Sequence, residues 1–348
     1  MNVATGPLGR SLTSRLRRDR RGAFPPYEMI DQHDREHSEL LDESVRAAEE
    51  KSRKLERLYH NTTTHAWDGK KVLQSLVEKH GGIHVPPDKR EALGHTFTVI
   101  LWGELAAWNV AADLARALPD VDAKLAATGQ AFDEARHFYV LRDYLMMSGV
   151  PLPPLGPLVR RVLTSVLDAP SPAAKLSGMQ LLVENLALAI FRQVADARVE
   201  PVLTDLLEYI ERDEARHVAL GVMYLPKLLE RTSRWERMRL WAFSTQTFLL
   251  TVGHGRRMDP HWKALGVNHR GLALHSFRLH QQMMRQMKEV ADKRPGESIR
   301  GVYGLSSKQH QQLIDFLHPE QPESMGNRHR AGLAALDAAV LAAERVLA

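Results

Sequence analysis

Asp133-Glu134-Ala135-Arg136-His137 and Asp213-Glu214-Ala215-Arg216-His217 are one pentapeptide written twice in a chain of 348 residues. Each copy contains Glu-x-x-His, an i,i+3 pair that sets a carboxylate beside an imidazole on one helix face. Each copy is also preceded by a lone glutamate in an apolar run. Glu104 stands in Leu101-Trp102-Gly103-Glu104-Leu105-Ala106, and Glu184 stands in Leu181-Leu182-Val183-Glu184-Asn185-Leu186. Glu104 precedes Glu134 by 30 residues, and Glu184 precedes Glu214 by 30. At ~1.5 Å per residue, about 15 residues out and 15 back return an antiparallel helix pair to one level. Glu104 can therefore face Glu134 and His137, and Glu184 can face Glu214 and His217. Docking the two pairs brings four carboxylates and two imidazoles to one place.

The flanking sequence is helical almost throughout, with apolar residues recurring at three and four. Long helices are expected over about 88–118, 121–148, 173–199 and from Pro201 to about Tyr224, where Pro226 ends or kinks the last. Pro119-Asp120 and Pro201 mark tight turns. A Pro-rich crossing, 151–172, with a short helix near 158–167, joins the two hairpins. Short loops make antiparallel neighbours, and a single long crossing is how ferritin-like four-helix bundles close. The expected fold class is all-α, a bundle of two antiparallel αα-hairpins with additional N- and C-terminal helices. The expected organisation is a basic disordered arm over 1–25, a helical extension over 26–87 and the bundle over 88–230. Further helices over 231–348 would pack on it: Trp235 to Val252, Leu272 to Ala291, Ser307 to Leu317 and Ala331 to Leu347. A linker from Arg294 to Tyr303 interrupts them.

Four carboxylates buried without counter-charge would cost several kcal/mol each or would have to protonate. Two divalent cations balance them, and mixed oxygen and imidazole donors suit iron or manganese. One glutamate from each of two helices with Glu-x-x-His from each of the other two is the ligand pattern of di-iron and di-manganese carboxylate bundles. A single Asp-Glu-x-Arg-His would be unremarkable on an exposed helix. Two copies, two isolated glutamates and equal intervals are hard to explain as solvated salt bridges.

Composition narrows the remaining classes. The chain is 44% hydrophobic and 26% charged, which excludes wholesale disorder. It has no cysteine, so disulfides, iron–sulfur clusters and thiol catalysis are excluded. A cytoplasmic location fits that lack. No apolar run approaches ~18 residues, so no transmembrane segment is expected. Six arginines between Arg10 and Arg21 face one acid, Asp19, within the arm. Basic residues do not interleave with aromatics, so no nucleic-acid partner is expected.

On the repeated pentapeptides and the two lone glutamates, the chain resembles the ferritin-like di-iron carboxylate superfamily over about 88–230. The likeness is to its ribonucleotide-reductase-like branch of small subunits, ligand-binding oxidases and multicomponent monooxygenase hydroxylases. The resemblance implies Glu104, Glu134, His137, Glu184, Glu214 and His217 as metal ligands. It implies that Asp133 and Asp213 orient the imidazoles, with Arg136 and Arg216 pairing with them. Subfamily markers are replaced. The radical-tyrosine position of reductase small subunits is Leu141, and the crosslinking valine and tyrosine positions of the ligand-binding oxidases are Ala107 and Met179. The hydroxylase threonine position is Leu188, and the added histidine of arylamine oxygenases is Ile210.

The function expected from this is an O2-dependent oxidase or monooxygenase with two iron ions, or manganese and iron. Its substrate would be small and apolar. Trp108, Gln130, Leu141, Gln180, Leu188, Phe191, Ile210 and Gly221 share the site faces, with the two glutamines as hydrogen-bond partners for ligands. Without a Gly-rich dinucleotide fingerprint, electrons require an external donor, a reductase or ferredoxin. The rivals are a radical-bearing small subunit, a ferroxidase and a metal-holding scaffold. The terminal helix offers an apolar stripe for self-packing, a homodimer seam or a partner. The histidines of the C-terminal third, among them His254, His269, His280, His310 and His318, match no compact metal motif and are expected as scattered surface residues.

Overall fold

The computed structural model describes residues 43–291 and 307–348. The basic arm, the first part of the N-terminal extension and the Arg294–Tyr303 linker lie outside the described residues. Eleven helices fill the rest, and no strand occurs among the described residues. The N-terminal extension contributes α1 (Glu43–Thr64) and α2 (Gly69–His80). Asp68 caps α2, its side chain accepting from the backbone of Lys70 and Lys71, as a first-turn acceptor should.

The bundle proper is α3 (Arg90–Ala117), α4 (Val121–Ser148), α6 (Pro172–Ala197) and α7 (Pro201–Glu230), with the short α5 (Pro157–Leu167) in the crossing. α3 pairs with α4 and α6 with α7, while α4 and α7 meet between the hairpins. This is the ferritin-like connection expected from the spacing. α1 lies along α4, and α2 lies against α7 and α4. The C-terminal helices are α8 (Arg234–Leu265), α9 (His269–Val290), α10 (Ser307–Leu317) and α11 (Asn327–Leu347). α8 covers α3 and α5, and α9 covers α6 and α7.

Two helices run further than their sequences suggest. α7 passes through Pro226 to Glu230. Proline removes one intrahelical bond, but the turn around it is anchored elsewhere. The Tyr224 hydroxyl donates to Asp120, and Lys227 Nζ lies 2.5 Å from the same carboxylate. α8 continues past Gly253, Gly255 and Pro260 because Met258, Trp262 and Leu265 are buried beneath it. Tertiary burial overrides weak local propensity in both. α6 is long and apolar enough to cross a membrane by length and composition, but 72% of that window is buried and its apolar surface serves the bundle.

The core has two apolar clusters. One contains Leu93, Phe97, Leu141, Leu145, Val194, Leu203 and Leu207. The other contains Val110, Leu114, Ala127, Leu176, Leu181, Leu220 and Leu225. On every bundle helix the residues between these clusters are the polar ones singled out by the sequence: 104, 130–137, 184 and 213–217. The bundle is thus apolar at both ends with a buried polar layer between.

Close approach fixes Gly94 on α3, where an added Cβ would meet the Pro151 carbonyl oxygen at 2.1 Å. Gly103 on the same helix has nothing within 4 Å. Gly94→Ala is expected to lower unfolding free energy by about 1–3 kcal/mol, as overpacking does. Gly103→Ala should instead raise it by about 0.5–1 kcal/mol. Urea denaturation of the two variants checks the contrast.

Candidate metal centre

All six side chains singled out by the sequence come together in the polar layer. Glu104, Glu134, His137, Glu184, Glu214 and His217 are at most 5% exposed. Their donor atoms form two overlapping groups, Glu104–Glu134–His137–Glu214 and Glu134–Glu184–Glu214–His217, each with its atoms within 4.8 Å of one another. Glu134 and Glu214 belong to both.

The imidazoles present Nδ1 inward. His137 Nδ1 lies 3.4 Å from Glu104, 3.6 Å from Glu134 and 3.1 Å from Glu214. His217 Nδ1 lies 3.0 Å from Glu134 and 3.1 Å from Glu214. Outward, the pairing crosses between the two copies of the motif. His137 Nε2 lies 3.1 Å from Asp213, and His217 Nε2 lies 3.3 Å from Asp133. Arg136 donates to Asp133 and, at 2.7 Å, to Asp213. Arg216 donates to Asp133 at 2.9 Å and to Asp213 at 2.6 Å. Two carboxylates and two guanidiniums thus close a ring beneath the histidines.

Two members of this layer come from the N-terminal extension and escape sequence reading. Trp67 Nε1 donates to Asp213 at 2.8 Å, and the Thr62 hydroxyl donates to Asp133 at 3.4 Å. Trp67 also stacks over His137, with Arg136 4.7 Å from its ring. No local motif links Trp67 to a residue 146 positions away. The glutamines read from the helix faces do engage: Gln130 donates to Glu184 at 2.5 Å and to Glu134 at 3.1 Å, and Gln180 donates to Gln130 at 3.0 Å. A π-helical turn, Met179–Val183, delivers Gln180 and ends at Glu184. Such turns are concentrated at functional sites, and this one presses on Gly221, whose added Cβ would sit 2.8 Å from Gln180 Cβ. Trp108, by contrast, is exposed. Tyr139 accepts from the Gly69 backbone and Tyr144 donates to Glu200, so both are engaged away from the six-residue cluster.

Burial, joined by neighbouring carboxylates, pushes Glu104 and Glu184 well above the usual carboxylate range. For Glu134 burial acts the same way, but His217 and His137 outweigh it and hold it low. Burial opposes the charge on His137 and His217, yet the surrounding carboxylates raise both well above ordinary histidine. The protein alone therefore keeps the cluster compensated with protons. Two inward atoms, His137 Nδ1 and Glu184 Oε2, are buried and make no hydrogen bond among the described residues. Once deprotonated, each offers a lone pair to a cation, and the oxygen and nitrogen donor set fits iron or manganese.

No protein-family model matches the chain, and no curated protein matches it. Among solved structures, it is similar to R2-like ligand-binding oxidases. Two single-residue variants of such an oxidase, aerobically reconstituted with a Mn/Fe cofactor, align at 15% identity with a TM-score of 0.44 over 67% of this chain. The alignments cover 93% and 92% of those oxidase chains. A third variant aligns over 75% of this chain and 91% of its own at 14% identity, with a TM-score of 0.41.

The C-terminal histidines depart from expectation. His254, His269, His310 and His318 line a chamber of about 130 Å³ between α6, α8, α9 and α10, and His280 is buried nearby. The helices α8, α9 and α10 fold back onto the bundle, and their histidines face it. Burial lowers His254, His280 and His310 to about 4 and His318 to about 3.

Arg136 is 3% exposed and serves two buried aspartates. Arg136→Leu leaves Arg216 as the one guanidinium shared by both aspartates and should cost about 3–5 kcal/mol. Arg142→Leu, which breaks an exposed pair with Asp143, should change stability by no more than about 0.5 kcal/mol. Chemical denaturation of both variants compares them. The neutral histidines give a pH prediction. Unfolded, they take a proton near 6.5; folded, His310 resists until about 4. The unfolded chain binds more protons in that window, so their contribution to stability is lost as pH falls from 6.5 towards 4. His310→Phe should shrink the stability loss between pH 7 and pH 5, measured by urea melts at each pH.

Proposed function

We propose that the chain is a non-haem dinuclear iron, or manganese–iron, carboxylate protein that acts as an O2-dependent oxidase or oxygenase on a small apolar organic substrate. The observation that carries this reading is the pair of overlapping four-residue donor groups sharing Glu134 and Glu214. Glu104 and His137 complete one position, Glu184 and His217 the other, and the two shared carboxylates span both. Two divalent ions held there would set +4 against four carboxylates and would supply redox equivalents for dioxygen chemistry.

The chain's own residues do the rest. Asp213 and Asp133 accept from the outer nitrogens of His137 and His217, fixing the tautomer that leaves Nδ1 free to ligate. Arg136 and Arg216 hold those aspartates charged and in place. Gln130 holds Glu184 and Glu134 in register. A chamber of about 70 Å³ opens beside Glu104, Glu134, Glu184 and Glu214, with Val99, Ile100, Val183, Leu186 and Ile190 in its wall. It admits an apolar molecule and leaves little to hold water, which favours an organic substrate over iron storage. Tyr139 and Tyr144 are committed elsewhere, which disfavours a tyrosyl-radical role. With no cysteine in the chain, electrons come from a separate donor.

Anaerobic Fe(II) titration followed by metal analysis is the test. About two metals per chain are expected by the charge count, with oxygen uptake that depends on added reductant. Glu104→Ala and Glu184→Ala should each lose metal. If both bind as much as the parent chain, the ligand assignment fails. If metal binds without reductant-dependent oxygen uptake, the scaffold reading replaces the enzymatic one. Ligation displaces the protons held on Glu104, Glu184, His137 and His217, whose affinities are raised. Metal affinity should therefore fall as pH is lowered from 7.5 to 6, which competition with a chelator at each pH reads out.

A further inference from the structure

The chamber beside the four carboxylates does not stand alone. It shares Val99, Leu186, Ile190, Thr251 and His254 with the larger histidine-lined chamber under α8–α10. The two differ in character. Apart from the carboxylates, the inner wall has only Thr251 and His254 as polar side chains. The outer wall carries Thr96, Trp262, His269, His310 and His318 as well as His254.

Three polar atoms of the outer wall are buried and make no hydrogen bond among the described residues: Thr96 Oγ1, His254 Nε2 and Trp262 Nε1. Each buried group left unmatched costs about 1–3 kcal/mol. The indole N–H of Trp262 only donates, so it calls for an acceptor oxygen. Neither lysine nor arginine lines the outer chamber. Burial also keeps His254, His310 and His318 neutral near pH 7. His269, the remaining histidine of the wall, already faces the Asp259 carboxylate at 2.7 Å, so the wall keeps no cation for a substrate carboxylate, whereas an uncharged oxygen meets what it offers.

We propose that the outer chamber holds the neutral, oxygen-bearing head of an amphipathic substrate, such as an amide, ketone or alcohol. Its apolar body passes the Val99–His254 neck and lies beside Glu104 and Glu184. This rests on the reading of the centre as oxidative and adds the substrate class and its orientation. The carbon presented to the centre is remote from the head. Trp262 and Thr96 are specificity-determining residues, since they touch the head and not the six carboxylate and imidazole groups.

The test titrates the full chain, metal-free and Mn(II)-loaded, with octanamide and octanoate by calorimetry, and measures metal content on the same samples. Octanamide is expected to bind saturably at one site and octanoate at least tenfold more weakly. Trp262→Phe should weaken octanamide by about five- to tenfold, the size of one lost hydrogen bond. Thr96→Val, nearly isosteric, repeats the test should the first variant fold poorly. Metal content should be unchanged in both. Absence of octanamide binding, tighter octanoate binding, or affinity untouched by both variants overturns the proposal, the last meaning that water alone satisfies these atoms. A chain that binds octanamide as described and takes up no metal leaves the chamber assignment standing and removes the centre's.

Discussion

Four carboxylates and two imidazoles buried in the middle of an apolar bundle are the constraint on which this structure turns. Like charges at these separations cannot all persist in a low-dielectric interior. Without ions the conflict raises the proton affinity of Glu104, Glu184 and both histidines. The ring of Asp133, Asp213, Arg136 and Arg216 answers the same conflict one step further out. Burying such groups is weak evidence for stability in itself, since well-packed hydrophobes of equal volume usually do as well or better. Their presence in the buried middle of the bundle is therefore not accounted for by stability alone.

Much of this was legible because helices make spacing into geometry. An i,i+3 pair and a 30-residue interval place side chains on known faces and at known depths, and the six residues met where that arithmetic put them. Helix ends were legible where chain chemistry decides them, as at Pro119-Asp120 and Pro201. They were not legible at Pro226 and Pro260, where anchoring by Asp120 and burial of Met258 and Trp262 outweigh local preference. Nor could helical periodicity reveal the π turn before Glu184, an irregularity that lies close against Gly221. Trp67 and Thr62 were invisible for another reason: they reach the site from outside the bundle, through tertiary contacts that no interval encodes.

The C-terminal third shows the same limit at larger scale. Its histidines have no regular spacing because they serve several helices and one cavity. Only docking of α8, α9 and α10 onto α3, α6 and α7 turns them from surface residues into a lining. The bundle supplies the carboxylate–imidazole cluster and most of the chamber beside it, and the covering helices enclose the larger chamber beyond.

The crossed bonds of His137 to Asp213 and His217 to Asp133 give the centre a local two-fold pseudosymmetry, with an axis running between α4 and α7. Each hairpin lends the other the carboxylate that its own histidine needs, so neither half-site is complete alone. Thr62 on one aspartate, Trp67 on the other, and Gln130 on the glutamate of one half break that equivalence. The asymmetry makes the two halves of the cluster electronically distinct although their residue types are matched. A cluster assembled from two copies of one motif is thereby chemically inequivalent from one half to the other.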